Sequence, residues 1–119
     1  MRPSTEPGHP LRGDIWLVNF NPGRGSEQRG IRPALVVQND VGNEYAATTI
    51  VAAITTTIKR YPVTVFVPAG TCGLPRESVV NLAQLLTLDK TRLMRRLGRL
   101  APDLLSSVDR AVSISLGLD

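Results

Sequence analysis

The chain of 119 residues has a single histidine, and it stands outside the part that reads as folded. His9 lies in MRPSTEPGHPL, a stretch with three prolines, a glycine and almost nothing to bury. Residues 1–11 therefore read as a disordered extension and residues 12–119 as one domain. That domain has no imidazole for acid–base work or for metal binding, and a serine-type triad fails for the same reason. The one cysteine, Cys72, excludes an intrachain disulfide and suits a reducing cytosol; in T-C-G-L it reads as a small turn residue. Catalytic zinc needs three His, Cys or carboxylate ligands, and a two-metal nuclease needs clustered carboxylates. Asp14, Glu27, Asp40 and Glu44 are scattered, with no D-x-D or E-x-K spacing between them. No phosphate-binding G-x-x-x-x-G-K-S/T motif occurs. The expectation is a reaction without metal or cofactor. No apolar run approaches the ~20 residues of a membrane span, and the N-terminus has no apolar core of a secretory signal, so a cytoplasmic protein is expected. Aromatic residues are also scarce, at 4%, so stacking on aromatic rings is a poor basis for any binding surface of this chain.

What is abundant is arginine. Of 14 basic side chains, 12 are arginine, against 10 acids, and the net charge is +4. Arginine binds phosphate bidentately and stacks on bases, so a polyanionic partner is implied, although many soluble proteins are merely basic.

Ile15–Phe20 and Ala34–Gln38 read as strands, the second so rich in Val and Leu that it is expected to be buried on both faces. Asn39–Asn43 has turn chemistry. Thr48–Ile54 gives a third strand, Val63–Val67 a fourth by its period-2 alternation, and Ser78–Leu86 another. Asp89 is a candidate cap for a single helical turn over 90–93, and Leu97–Leu100 reads as a short edge strand. Pro102 and Asp103 open a helix whose Leu105, Val108, Val112 and Leu116 share one face, with Gly117 as its stop. Five or six short strands and a terminal helix predict a mainly β, mostly antiparallel small barrel.

The connection Asn21–Pro33 (NPGRGSEQRGIRP) is too long for a plain hairpin. It holds Gly23, Gly25 and Gly30, and sets Arg24, Arg29 and Arg32 against a single Glu27. GSEQRGIRP, preceded by RGDIWLVNFNP and followed by ALVVQND, resembles the signature of the MazF/PemK-type toxin family, the sequence-specific endoribonucleases of toxin–antitoxin pairs. The likeness continues through TTIVAAIT, a GL-x-x-x-SVV segment, TLDK-x-RL and the closing helix, and so covers residues from Arg12 onward. It implies an SH3-like antiparallel barrel of the kind shared with gyrase-poisoning toxins. It also implies a homodimer that cleaves single-stranded mRNA, and a cognate antitoxin whose flexible acidic segment lies across the basic RNA groove. A gyrase-poisoning toxin of the same fold is the alternative; such relatives carry a Trp-Gly-Ile ending, whereas this chain reads SLGLD.

RNA supplies its own nucleophile. A 2′-hydroxyl attacks the adjacent phosphorus in line, leaving a 2′,3′-cyclic phosphate and a 5′-hydroxyl. The enzyme must take the 2′ proton, protonate the leaving oxygen and neutralise the phosphorane, and arginine meets the last need best. The resemblance implies that Arg32, of the G-x-RP element, and Thr55, ending the AAIT strand, are the catalytic pair. Arg32 stands where loop meets strand, held more firmly than Arg24 or Arg29. Glu27 is the conventional base candidate, with solvent as the alternative, and a loop-ordering salt bridge is nearly as good a reading of it. Ser26, Gln28, Asn39, Thr56, Ser78 and Gln84, together with Arg24 and Arg29, have the chemistry to bind RNA. Leu86 departs from the family pattern, which carries an arginine there.

Overall fold

In the computed structural model the described residues are 8–21 and 30–118. Six strands and two helices follow in chain order: β1 (Asp14–Asn19), β2 (Ile31–Val36), α1 (Asp40–Tyr45), β3 (Thr48–Thr55), β4 (Thr64–Val67), β5 (Ser78–Asp89), β6 (Leu93–Arg99) and α2 (Pro102–Ser115). A single 3-10 turn, Lys90–Arg92, joins β5 to β6. All pairings are antiparallel, and the strand order is β4-β5-β3-β2-β1-β6.

The mainly β architecture with a terminal helix is the expected one, but the barrel is not closed by hydrogen bonds. β4 and β6 are sheet edges that do not pair. They are linked instead by close packing. The turn after β4 lies against β6 so tightly that a Cβ on Gly73 would fall 2.1 Å from the Leu97 carbonyl oxygen. One on Gly98 would fall 2.3 Å from the Cys72 carbonyl oxygen. In that turn Cys72 itself has a positive φ of 56°.

The sheet is strongly two-faced. One side buries Ile15, Leu35, Ala52, Ile54, Val80 and Leu82 under α2, which contributes Val108 and Ala111. The other packs Val18, Phe20, Ala34, Val36 and Val51 together, with Trp16, Leu86, Leu88 and Leu93 around them. Because neighbouring strand residues point to opposite sides, Ala34, Leu35 and Val36 reach both clusters in succession, and all three are fully buried. The central strand is therefore buried on both faces, as its composition required.

Several boundaries shift. β2 starts at Ile31 because β1 supplies partners for Ile31, Arg32 and Pro33, so the connection before it ends at Gly30. Asn39–Asn43 is the start of a short helix, in which the Asn39 side chain accepts from the Gly42 N–H at 2.8 Å. β5 runs on to Asp89 across a bulge opposite Ala52 and Ala53, where Asn81 Oδ1 accepts from the Ala83 N–H. β6 starts four residues before the expected edge strand. Leu116 lies past the end of α2 and is exposed.

Residues 8–11, assigned to the disordered extension, are packed on the domain. Pro10 is buried, and His9 Nε2 lies 3.8 Å from Glu44 Oε1. Behind them the buried Asp14 carboxylate accepts from the Leu11 N–H, from Trp16 Nε1 and from Arg96 and Arg99 at 3.2 and 3.1 Å. It thereby ties β1 to β6 and to the segment before it. Arg12 is held in turn by Asp109 and by the Val37 carbonyl.

Gly98→Ala forces a Cβ onto a backbone carbonyl that no side-chain motion can relieve, and is expected to cost about 1–3 kcal/mol. Thermal unfolding checks this, with Gly8→Ala, where nothing lies within 4 Å, as the neutral control.

Candidate functional site

Ala34 pairs with Ala53, Leu35 with Ala52 and Val36 with Val51. Arg32 and Thr55 each stand two residues beyond the last pair of this ladder, Ala34 with Ala53. Directly opposed residues of an antiparallel pair point to the same side. Arg32 is also the partner of Val18 on β1, so its side chain leaves the sheet on the face of the Val18–Val36–Val51 cluster. The two residues expected to act together thus both stand at the same end of the sheet, past the Ala34–Ala53 pair. Arg32 is exposed and Thr55 half-buried. The Thr55 hydroxyl oxygen accepts from the Thr57 N–H at 3.1 Å, which fixes the oxygen and leaves its proton to donate outward.

A guanidinium and a hydroxyl donor are the kinds of group that bind a tetrahedral oxyanion. Both groups can donate and both stand on strands.

The remaining sequence candidates divide. Glu27, Arg24, Ser26, Gln28 and Arg29 lie outside the described residues. Thr56 is exposed directly after Thr55. Gln84 is half-buried within the β5 bulge, between Asn81 and Leu85. Ser78 is buried, and its hydroxyl donates to the Arg76 carbonyl at 2.9 Å. Asn39 spends its side-chain oxygen on the α1 cap. Leu86 pairs with Val51 and belongs to the apolar cluster, so an arginine there would have to leave it for solvent. Among the described residues no three His, Cys, Asp or Glu side chains come together as a metal site.

Sequence reasoning did not single out a pocket of about 290 Å³ beside the site. Asn19 and Phe20, at the end of β1, form one wall, and Leu86–Asp89 with Arg92 the other. Asn19 is the ladder partner of Ile31, the residue before Arg32, so one wall of the pocket stands on the strand next to Arg32's own. Asp89 caps the 3-10 turn as expected: its Oδ1 accepts from the Thr91 N–H at 3.0 Å and from the Thr91 hydroxyl at 2.9 Å. Those two bonds, the backbone one foremost, hold its carboxyl below the ordinary value of 3.8, and Arg92 adds to the effect. The signal for this pocket is the spacing Asp89-x-x-Arg92, which local reading assigns wholly to a helix cap.

The described fold is thus an antiparallel six-stranded sheet under one terminal helix, with Arg32 exposed and Thr55 half-buried at one end of it. Over residues 11–116 the sequence matches the family described as PemK-like, MazF-like toxin of type II toxin-antitoxin system, and the chain belongs to that family. It is 44% identical over 109 residues to Endoribonuclease EndoA of Bacillus subtilis (strain 168), covering 90% of this chain and 94% of the relative. Among solved structures it resembles an endoribonuclease in complex with its cognate antitoxin from Mycobacterial species. That match has a TM-score of 0.80 and 27% identity, covering 92% of this chain and 97% of the other. It resembles MazF from Deinococcus radiodurans to the same TM-score of 0.80 at 31% identity, again covering 92% and 97%.

A carboxyl whose folded value is depressed supports the fold above its unfolded value and loses that support as pH falls through the folded one. The Thr91 cap is therefore expected to hold at pH 3.8 and to open only at lower pH. An NMR titration of the Thr91 amide checks this: a midpoint below 3.8 fits, and one above it does not.

Proposed function

We propose that the protein is an endoribonuclease toxin that cuts single-stranded mRNA at specific sequences without a metal ion, using the 2′-hydroxyl as nucleophile. The observation that supports this reading is the β2–β3 ladder, beyond whose last pair, Ala34 with Ala53, Arg32 and Thr55 both stand. The likeness to relatives named endoribonucleases supports it independently.

In this reading Arg32 binds the non-bridging oxygens of the scissile phosphate and takes up charge as the phosphorane forms. It also donates to the departing 5′ oxygen. Thr55 donates its free hydroxyl proton to a phosphate oxygen. The 2′ proton passes to Glu27 or to solvent. Arg24, Arg29 and the polar side chains of Ser26, Gln28, Thr56 and Gln84 hold the strand on either side. The active unit is a cytoplasmic homodimer, and its regulator is an antitoxin with an acidic flexible segment that competes for the same basic surface. The solved complexes of a mycobacterial endoribonuclease with its cognate antitoxin and of MazE–MazF from Deinococcus radiodurans support such a partner.

Incubation with a long single-stranded RNA in excess EDTA is expected to give discrete fragments with 5′-hydroxyl ends. Loss of cutting in chelator contradicts the metal-free mechanism. A deoxyribose 5′ of the scissile phosphate is expected to abolish cutting at that site alone. Arg32→Ala is expected to keep its fold, since the side chain is exposed, and to lose roughly 10³-fold or more in rate. An unchanged rate removes Arg32 from the site.

A further inference from the structure

The pocket between the end of β1 and the β5–β6 corner has more polar chemistry than a helix cap uses. Asp89 Oδ1 takes both bonds from Thr91, while Oδ2 accepts none among the described residues. Arg92 sends one long bond, 3.4 Å, from Nη1 to the Asn19 carbonyl, which turns its guanidinium toward the cavity and leaves further N–H groups for a ligand. The Asn19 side-chain oxygen accepts from the Asn21 N–H at 3.0 Å, so its amide nitrogen remains a donor. Phe20, Leu86 and Leu88 give this polar rim an apolar floor. At about 290 Å³ the cavity lies at the small end of ligand pockets, a size for one flat ring system.

An acceptor carboxylate and a donor guanidinium set around an apolar floor select a base that offers adjacent N–H donors beside a carbonyl oxygen. Guanine alone carries two such donors, N1–H and N2–H, next to O6. Adenine and cytosine present a ring acceptor where guanine has N1–H, and uracil has only one donor. A carboxylate facing a ring acceptor is repulsive, so discrimination comes from rejection as well as from attraction.

We infer that this pocket is a guanine subsite, in which Asp89 Oδ2 accepts from N1–H and N2–H while Arg92 donates to O6. The inference rests on the reading of the chain as an RNA-cutting enzyme, and it names a base that the enzyme selects. The subsite is placed for that task. Its wall residue Asn19 pairs with Ile31, one position from Arg32, and residues 22–29 connect that wall to Arg32's strand. A nucleotide seated here leaves its phosphate near the Arg32–Thr55 end of the face. Asp89 stays ionised at neutral pH because Thr91 and Arg92 stabilise the charged form, so the acceptor is always present.

The test has two arms. In the first, the four nucleoside 5′-monophosphates are titrated into isotope-labelled protein and amide shifts are followed by NMR. GMP is expected to shift the amides of Asn19, Thr87 and Arg92 at concentrations at which AMP, CMP and UMP do not. Asp89→Asn keeps a side-chain oxygen for the Thr91 cap but puts an NH₂ in place of Oδ2. It is expected to lose the GMP preference while the Thr91 amide stays in place. Equal shifts by all four nucleotides, or a preference that survives in Asp89→Asn, would overturn the subsite. In the second arm, cut sites are mapped on a long RNA. Wild type is expected to require guanine at one fixed position, and Asp89→Asn to lose roughly tenfold or more at those sites, the worth of one bidentate base contact. Cutting at sites that share no guanine overturns the subsite and leaves the ribonuclease reading intact. Absence of any cutting by wild type defeats the ribonuclease reading, and the nucleotide titration then decides the pocket by itself.

Discussion

The alignment of β2 on β3 is the constraint on which the rest depends. Ala34, Ala52 and Ala53 are small and fully or almost fully buried, and larger neighbours on both sides lock the two strands in one register. A slip of one residue would turn every side chain of β2 to the opposite face. Leu35 would leave the cluster under α2, and Ala34 and Val36 would leave the second cluster. Arg32 would swing toward the helix side, away from Thr55. Apolar packing on two faces thus fixes the position of a charged group that packs against neither. A small domain can in this way position a guanidinium without burying it: the strand is packed and the side chain stays exposed.

The sheet's outer strands need a different solution. β4 and β6 do not pair, so the edges are managed by charge and by close approach. β6 carries Arg95, Arg96 and Arg99, two of them drawn onto the buried Asp14. The turn after β4 meets β6 at Gly73 and Gly98, where only hydrogens fit between the backbones. The two fixings leave the β1–β2 end of the sheet as the exposed polar region, with Arg32, Thr55 and the pocket of Asn19, Asp89 and Arg92 around it. Net positive charge over such a surface favours a polyanion, and strand edges blunted by arginine disfavour association through main-chain pairing.

Much of this was legible in the chain because the signals were periodic. The alternation in Val63–Val67, the unbroken apolar run after Pro33 and the Leu105–Val108–Val112 stripe each report which face is buried, and that is what fixes a strand or helix. Boundaries were harder. Pro33 reads locally as a strand breaker, yet β1 supplies a ladder partner for it, so tertiary pairing extends the strand to Ile31. Asn39-Asp40 reads as a turn because a one-turn helix and a turn share the same capping chemistry. The segment before Arg12 looked too polar to pack, yet Pro10 is buried, against a surface that sequence cannot foresee. For the site, Arg32 and Thr55 are 23 residues apart, and only the family likeness picked out both; in the folded chain they stand at the same end of the sheet, near the start of β2 and at the end of β3. The pocket was not read as one, because its Asp89-x-x-Arg92 spacing is accounted for locally by a helix cap. Its walls come from β1 and from the corner after β5, which only the folded topology brings together.

The central claim is that Arg32 and Thr55 act on the same phosphate. A double-mutant cycle on single-turnover RNA cleavage tests this most directly, using wild type, Arg32→Ala, Thr55→Val and the double variant. Residues that serve one transition state are non-additive, so the double variant is expected to be scarcely slower than Arg32→Ala alone. Losses that multiply in full would show that the two side chains act independently, and would contradict the account.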